Sequence, residues 1–589
     1  MISRILVANR GEIALRIMRA CRDLGLTSIG IYGGDEQDAP HVRYGDEAYR
    51  IDSDSPIPYL DIDAILAIAR ESGADAVHPG YGFLAENAEF SRRCEAAGVT
   101  FIGPGPDAIS VMGDKIRARE LAQKAEVPLV PGSDGAVEAS DVAGIAERIG
   151  YPVALKAAAG GGGRGFRVAT DSSLLDDAIS GATGEAERYF GDDRVFIERY
   201  LESPRHVEIQ VLADRHGTVL ALGERDCSVQ RRHQKLIEEA PSPILDEDLR
   251  SRMEAAAIQL AKAVDYVSAG TVEFLVQGDE FFFLEMNTRI QVEHPVTELI
   301  TGVDLVGWQI RVANGEALDP EITQWRHGHA IECRINAEDV AAGFQPLSGS
   351  IHSCTVPTGP GVRLDGVIEP GAAVSPQYDS MLGKLLTWGV DRDEAIRRMK
   401  RALGELRISG IATTTQFHRA VMDHPVFQSG YYDTRFLERH PEVLDVVSTD
   451  DSVPAVQVDG GLNPGNVEEV RVEVNGKRFD VRVHRQSGKS QNSRPPKLSE
   501  SRGTATIAAD GSESIISPIQ GTVLSVAVDE GASVRAGDVI CVIEAMKMEN
   551  EISAGRDGTV TRLGVTAGTP VESGALIAVI ESGEGAPDD

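Results

Sequence analysis

The chain has 589 residues, too many for one hydrophobic core, so three to five domains are expected. Its net charge of −33 excludes a general nucleic-acid binder, and its 47 arginines against 11 lysines fit a salt-adapted host or a GC-rich genome; the charge bears on solubility rather than on a reaction. No apolar run spans a bilayer, residues 1–9 lack a signal-peptide core, and Cys21, Cys94, Cys227, Cys333, Cys354 and Cys541 form no CxxC pair. A reduced, cytoplasmic setting is therefore expected, without a disulfide framework or a structural zinc.

Residues 1–112 alternate strand and helix signals. Ile5–Ala8 reads as a strand, Glu12–Leu24 has helical apolar spacing, and Ser28–Tyr32 is again a strand. Asp75–His78 runs into the glycine-rich turn His78-Pro79-Gly80-Tyr81-Gly82. This pattern predicts a parallel sheet with crossover helices. In residues 113–326 the strand Val153–Leu155 leads into Lys156 and the glycines 160–163 and 165. Backbone N–H groups of such a run can close over phosphate oxygens. It is not a Walker A loop, because the lysine precedes the glycines. Glu273 and Glu285 lie on two predicted neighbouring strands, Thr271–Val276 and Phe281–Met286, with Asn287 just beyond. Two carboxylates and an amide oxygen are hard ligands suited to Mg²⁺ on nucleotide phosphates. Phe281–Leu284 leads straight into Glu285, so that acid is expected to be buried and to need a cation.

Residues 327–444 read as mixed strand and helix. In 445–512 one hairpin is expected, 470–474 with 479–483 around Asn475-Gly476. The Ser-, Gly-, Lys-, Arg- and Pro-rich stretch 485–512 reads as a disordered tether. Residues 513–583 contain a duplication: 521–543 repeats as 558–580 at an offset of 37 residues, aligning Gly521/Gly558, Val523/Val560, Gly531/Gly568, Val534/Val571, Gly537/Gly574 and Ile543/Ile580. Short strands joined by glycine turns, folded as two matching halves, are predicted. Lys547 falls between the copies, at the expected tip.

Ala545-Met546-Lys547-Met548 between these half-repeats resembles the biotin carboxyl carrier domain, an all-β, lipoyl-like flattened barrel. The resemblance implies biotin amide-linked to Lys547; a lipoyl domain would carry its lysine in an Asp-Lys-Ala context. Residues 3 to about 440 resemble biotin carboxylase, through Val7-Ala8-Asn9-Arg10-Gly11-Glu12, Glu198-Arg199-Tyr200-Leu201, Arg205-His206-Val207-Glu208, the run Glu224–Lys235 and the run Glu285–His294. The implied architecture is an α/β domain (1–112), an ATP-grasp domain (113–326) and a C-terminal α+β domain (327–444), followed by the linker and carrier. Ala159 stands where the family has a fifth glycine.

The resemblance assigns Lys115, Lys156, Glu198, Leu201, His206, Gln230 and His233 to ATP, with Gly162 and Gly163 in the lid. It assigns Glu273, Glu285 and Asn287 to Mg²⁺ or Mn²⁺. Lys235, Arg289 and Val292 are assigned to bicarbonate, Arg334 to bicarbonate and the biotin ureido oxygen, and Glu293 to the base. The implied reaction activates bicarbonate as carboxyphosphate and carboxylates biotin. No segment is left for a carboxyltransferase, so a separate β subunit that acts on acetyl-CoA or propionyl-CoA is expected; methylcrotonyl-CoA, geranyl-CoA or pyruvate are further possibilities. A biotin protein ligase and a homodimer of the carboxylase part are also implied. Two other readings stand beside this one: a biotinylated scaffold that has lost catalysis, and a different ATP-grasp ligase related to carbamoyl phosphate synthetase.

Overall fold

The computed structural model describes residues 1–445 except 35, 134, 136, 158–165, 191–193 and 324; beyond these it describes 467–474, 477–484, 505–507, 512–517, and 521–581 without 546–547 and 572–573. Residues 1–449 and 450–589 are two compact units, and each is taken by itself.

The first unit begins with five parallel strands, Arg4–Val7, Thr27–Tyr32, Glu47–Arg50, Ala76–His78 and Thr100–Phe101, in the order third, second, first, fourth, fifth. The order reverses beside Arg4–Val7, so the loops leaving Val7 and His78 diverge and open a crevice at the strands' carboxyl ends. Buried Asn9 bridges these loops: its Nδ2 donates to Pro79 O at 2.7 Å and to Tyr81 O at 2.8 Å. Helix Gly11–Asp23 follows, packing Ile13, Ile17 and Met18 on the sheet. Its Glu12 and Arg16 are buried too, which requires opposite charges. Lys384 meets Glu12 at 3.0 Å, and Arg16 meets Glu298 at 2.7 Å as well as Asp304. These pairs tie the first helix to segments some 300 positions away in sequence.

A small antiparallel sheet places Val153–Ala157 between Arg167–Ala169 and Val195–Arg199. Helices Ala139–Ile149 and Leu175–Phe190 cover it through Val142, Ala146, Ala178 and Ala182. The glycine run, with Gly162 and Gly163, lies outside the described residues.

The third sheet has eight antiparallel strands in the order Glu280–Asn287, Ser268–Gln277, Arg205–Ala213, Val219–Arg231, Gln234–Ala240, His329–Asn336, Met381–Gly389, Val362–Gly366. It crosses position 326 without a break, because Gln234–Ala240 pairs directly with His329–Asn336. Strand Arg205–Ala213 is buried along its whole length. Such a strand is ordinarily apolar throughout, yet His206, Glu208 and Gln210 alternate with Val207, Ile209 and Val211. The valines and isoleucine pack with Leu249, Met253 and Leu260 of helix Glu247–Ala263. The polar residues therefore line the opposite face, where the site forms.

In the second unit, Val467–Val474 pairs with Lys477–His484 in the expected hairpin; its turn residues 475–476 lie outside the described set. The duplication folds as two interlocked sheets. Gly521–Val526 and Val539–Ala545 stand in a four-stranded sheet, and their counterparts Gly558–Leu563 and Leu576–Glu581 in a five-stranded one. The short strands exchange: Ser533–Val534 pairs with Gly558–Leu563, and Pro570–Val571 pairs with Gly521–Val526. Val523/Val560, Val534/Val571 and Ile543/Ile580 all enter one core. Gly531/Gly568 and Gly537/Gly574 all have φ between +82° and +97°, where a side chain is strained; this accounts for their recurrence at the same offset. Ala545 pairs with Met548; Lys547, expected at the tip, lies outside the described residues.

Candidate functional site

The site is built on the polar face of the eight-stranded sheet. Strand Val219–Arg231 returns as Gln234–Ala240 through Arg232 and His233, whose φ values are +47° and +66°. A two-residue loop with both residues left-handed normally calls for Asn-Gly. Arginine and histidine there store strain, of order 1–3 kcal/mol each, and the turn delivers Lys235 to the interior. Lys235 Nζ donates to Glu208 Oε2 at 2.6 Å, Glu293 Oε1 at 2.7 Å and Glu273 Oε1 at 2.8 Å. All three ammonium protons are thus spent on three buried carboxylates.

Glu208 is shared. Its other oxygen accepts from Arg225 Nε at 2.5 Å. Arg225 is wholly buried and uses its remaining donors on Gln210 Oε1, Thr297 Oγ1, Thr271 Oγ1 and Gln291 Oε1, at 2.6–3.0 Å. Gln291 passes the chain on to Glu273 Oε1 at 2.7 Å, and His206 Nε2 lies 2.9 Å from Glu273 Oε2. Glu293 is held at both ends, by Lys235 on Oε1 and by Arg334 Nη2 on Oε2 at 2.9 Å. Arg334 also donates from Nε to Glu238 Oε1 at 2.6 Å. Arg289 is aimed by Glu86 Oε2, Asn287 Oδ1 and Ile290 O. Val292 contributes its carbonyl, which accepts from the buried Lys384 at 2.8 Å.

On the two strands expected to carry a metal, Glu273 stands opposite Glu285 and Thr271 opposite Asn287. The register slips between Glu273 and Phe274, leaving Leu284 as the extra residue. This bulge lets Phe281, Phe282 and Phe283 stay buried while Glu285 faces Glu273. The expectation that Glu285 is itself buried is corrected: it is solvent-exposed, because the bulge turns it out at the mouth. Crowding by protein and the charge of Glu273 raise its pKa, and Lys115 opposes the shift. Two like charges with oxygen donors on facing residues fit a hard divalent cation, which would relieve that repulsion.

The other candidates gather on the adjoining side. Lys156 pairs with Glu198 Oε1, whose second oxygen lies 3.8 Å from Arg119. Gly132 bridges to Glu198 so closely that a Cβ there would fall 2.4 Å from Ile197 O. Leu201 sits in a small apolar patch with Val130 and Phe282. Gln230 is buried opposite Lys235. Burial, then the charges of His206 and Lys156, lower the pKa of His233.

The buried charges tune one another. Burial opposes ionisation of Glu293, but Lys235 and Arg334 outweigh it and hold its carboxyl well below the ordinary range. Glu273 is likewise held low by Lys235 and His206 against burial. Burial pushes Glu238 up to about 7 despite Arg334. Lys235 is raised by its three glutamates against the burial that would lower it.

Glu86, Glu208, Arg225, Glu238 and Gln291 join the site without having stood out in the sequence. Glu208 had a legible signal, the alternation His206, Glu208, Gln210 in a strand flanked by apolar neighbours. Glu86 had none, since it meets Arg289 across 203 positions.

Residues 1–109 match the family model of the biotin carboxylase N-terminal domain, 114–321 the ATP-binding domain of the carbamoyl-phosphate synthase L chain, 332–439 the biotin carboxylase C-terminal domain, and 513–580 the biotin-requiring enzyme domain. The chain is 44% identical over 573 residues to the biotin-dependent acyl-coenzyme A carboxylase alpha3 subunit of Mycobacterium leprae, covering 94% of this chain and 95% of that protein. It is 52% identical over 450 residues to a pyruvate carboxylase subunit of Methanothermobacter thermautotrophicus, covering 76% of this chain and 91% of that one. The biotin carboxylase domain dimer of 2-oxoglutarate carboxylase from Hydrogenobacter thermophilus, solved with MgADP, ADP and bicarbonate, superposes with a TM-score of 0.70 at 48% identity, covering 76% of this chain and 99% of that one.

Proposed function

The chain belongs to the biotin carboxylase family, and on that premise we propose that it is the α subunit of an acyl-CoA carboxylase, passing its carboxyl group through a separate carboxyltransferase β subunit to acetyl-CoA or propionyl-CoA. It is an ATP-dependent biotin carboxylase with a carrier domain; its cofactors are biotin, ATP and Mg²⁺. Among the described residues no helix is long and apolar enough to cross a membrane.

The observation that carries the acyl-CoA reading is end-to-end similarity. The M. leprae protein aligns through both the carboxylase and the carrier, whereas the small subunit of 2-oxoglutarate carboxylase aligns over 76% of this chain. In this reading the domains divide at 1–112, 113–326, 327–444 and 513–583, with 445–512 as linker. The carboxylase part dimerises, as the Hydrogenobacter domain does, and a biotin ligase loads Lys547.

Lys115, Lys156, Glu198, Leu201, His206, Gln230 and His233 hold ATP, with Gly162 and Gly163 closing over it. Mg²⁺ on Glu273, Glu285 and Asn287 supplies neutralisation of phosphate charge. Biotin on Lys547 supplies the ureido nitrogen that accepts carbon. Lys235, Arg289 and Val292 take bicarbonate, arginine matching the planar anion with its fork; Arg334 reaches bicarbonate and the ureido oxygen. Glu293 removes the bicarbonate proton. With both oxygens ion-paired, Glu293 is a weak base in the substrate-free site. Bicarbonate arriving on Lys235 and Arg334 competes for those donors, so Glu293 gains basicity once its substrate is in place. Each pKa unit returned corresponds to about 1.4 kcal/mol.

The test is co-purification with the native partner, followed by an acyl-CoA panel assayed for fixation of ¹⁴C-bicarbonate. Labelling of acetyl- or propionyl-CoA is expected. Labelling of pyruvate or 2-oxoglutarate alone would sink the acyl-CoA assignment and leave the biotin carboxylase standing.

A further inference from the structure

Away from the catalytic face, two histidines and a glutamate converge where helices Pro425–Ser429, Phe436–Arg439 and Glu442–Asp445 meet. His424 Nε2 lies 3.2 Å from Glu442 Oε1, and His440 Nδ1 lies 3.1 Å from the same oxygen. The imidazole centroids are 4.5 Å apart, and the three ligand atoms all lie within 4.8 Å of one another. In a tetrahedral zinc site, with ligands about 2.0–2.1 Å from the metal, neighbouring ligand atoms stand about 3.3 Å apart. The two separations to the carboxylate already match that spacing.

The rings are set by packing rather than by each other. Phe436 packs against both, edge-on to His424 at 5.4 Å and tilted against His440 at 5.3 Å between ring centroids. His424 caps helix Pro425–Ser429, and Val443 anchors Glu442–Asp445 in the core. An ion could enter: the Glu442 side chain is 56% exposed and that of His440 25%. A metal on His424 Nε2 requires the ring proton on Nδ1, which now accepts from Val426 N at 3.3 Å. That bond is longer than the usual range, so exchanging it costs little. Each ring would bind through the nitrogen that faces Glu442 and carry its N–H on the other nitrogen.

We propose that His424, His440 and Glu442 form a binding site for a borderline divalent transition metal, Zn²⁺ foremost, that clips the 436–445 segment to the turn after helix Thr415–Asp423. Two imidazoles and one carboxylate suit Zn²⁺, Ni²⁺ or Co²⁺ and not Mg²⁺, leaving a fourth position for water. The expectation of no structural zinc rested on cysteine spacing and did not weigh these histidines.

The experiment is Zn²⁺ titration of the metal-depleted full-length protein by calorimetry, wild type against H424Q/H440Q. One equivalent present in wild type and lost in the variant is expected, with a rise in the unfolding temperature on Zn²⁺ addition only in wild type. Equal stoichiometry in the two proteins, which would place the ion elsewhere (the cluster His206, Glu208 and Glu273 included), or no binding at all, overturns the proposal. Should the variant fail to fold, X-ray absorption on the zinc-loaded wild type decides. Two imidazoles and one carboxylate around the metal support the site; sulfur ligation or fewer than two imidazoles refutes it.

Discussion

Replacing Lys235 by methionine removes one cation from among three buried glutamates, and the consequence for stability should depend on pH in a defined sense. Three charge-assisted hydrogen bonds are lost, at about 1.5–3 kcal/mol each. Against that gross loss stands the desolvation of a buried ammonium, several kcal/mol. The net is about 3–5 kcal/mol at pH 7, the range for removing one partner of a buried ion pair. In the wild type Glu273 and Glu293 are held below their unfolded values, with Lys235 the largest opposing cause to burial for each. Their contribution is therefore present above the unfolded carboxylate pKa, about 4.3, and is lost as pH falls toward the folded values. In the variant, burial and mutual repulsion raise Glu208, Glu273 and Glu293 above the unfolded value. They then cost stability at neutral pH, and that cost fades as pH falls from their raised folded values toward the unfolded pKa. The gap between the proteins should be widest at pH 7–8 and narrowest near pH 5. Trp308, Trp325 and Trp388, the chain's three tryptophans, all lie in residues 1–449, so urea unfolding followed by their fluorescence reports this unit and not the carrier. A gap below about 1 kcal/mol at pH 7, or one that is the same at pH 8 and pH 5, refutes the reasoning.

Three further outcomes follow from particular contacts. Glu86→Gln removes the charge that aims Arg289; the KM for bicarbonate should rise about tenfold, about 1.4 kcal/mol, with the KM for ATP within twofold, as measured by bicarbonate-dependent ATP hydrolysis with free biotin. Gly132→Ala drives a methyl group into the backbone beside Glu198, so the KM for ATP should rise severalfold while that for bicarbonate holds; equal changes in both would argue against the placement of Glu198 on the nucleotide. Lys547→Arg should abolish streptavidin blotting and transferase-coupled ¹⁴C fixation while carboxylation of free biotin persists, and residual blotting would show that another lysine carries the group.

Much of the architecture is legible because it rests on local periodicity. The strands at 4–7 and 27–32, the helix between them, and the twin halves of the carrier fold where short-range alternation and glycine spacing put them. Glu285 departs from expectation for the opposite reason. The apolar run before it implies burial, and strict alternation cannot foresee the bulge at Leu284 that turns it to solvent. Most of the supporting charges are illegible as well. Arg225 looks in sequence like any arginine of a polar segment, and only the meeting of three strands with helix His294–Thr301 and the loop before it gives its five donors five acceptors.

Strand pairing also bears on how the proposed catalytic parts are divided. Arg334 belongs by sequence to the third segment, yet its strand hydrogen-bonds to Gln234–Ala240 of the second, with Glu332 directly opposite Glu238. The guanidinium reaches Glu238 and Glu293 without crossing an interface that could open. Lys384, one strand further along, reaches Val292 O and Glu12, and so links three of the sequence segments at one buried ammonium. Because an unpaired charge is costly to bury, none of these segments can move off the others without stranding an ion. The side of the site proposed to take bicarbonate is thus held rigid by burial. In the proposed assignment the nucleotide side rests on the small sheet around Lys156 and Glu198, where the Lys156 side chain is 41% exposed, so closure over the nucleotide is expected there, with the proposed bicarbonate side held fixed.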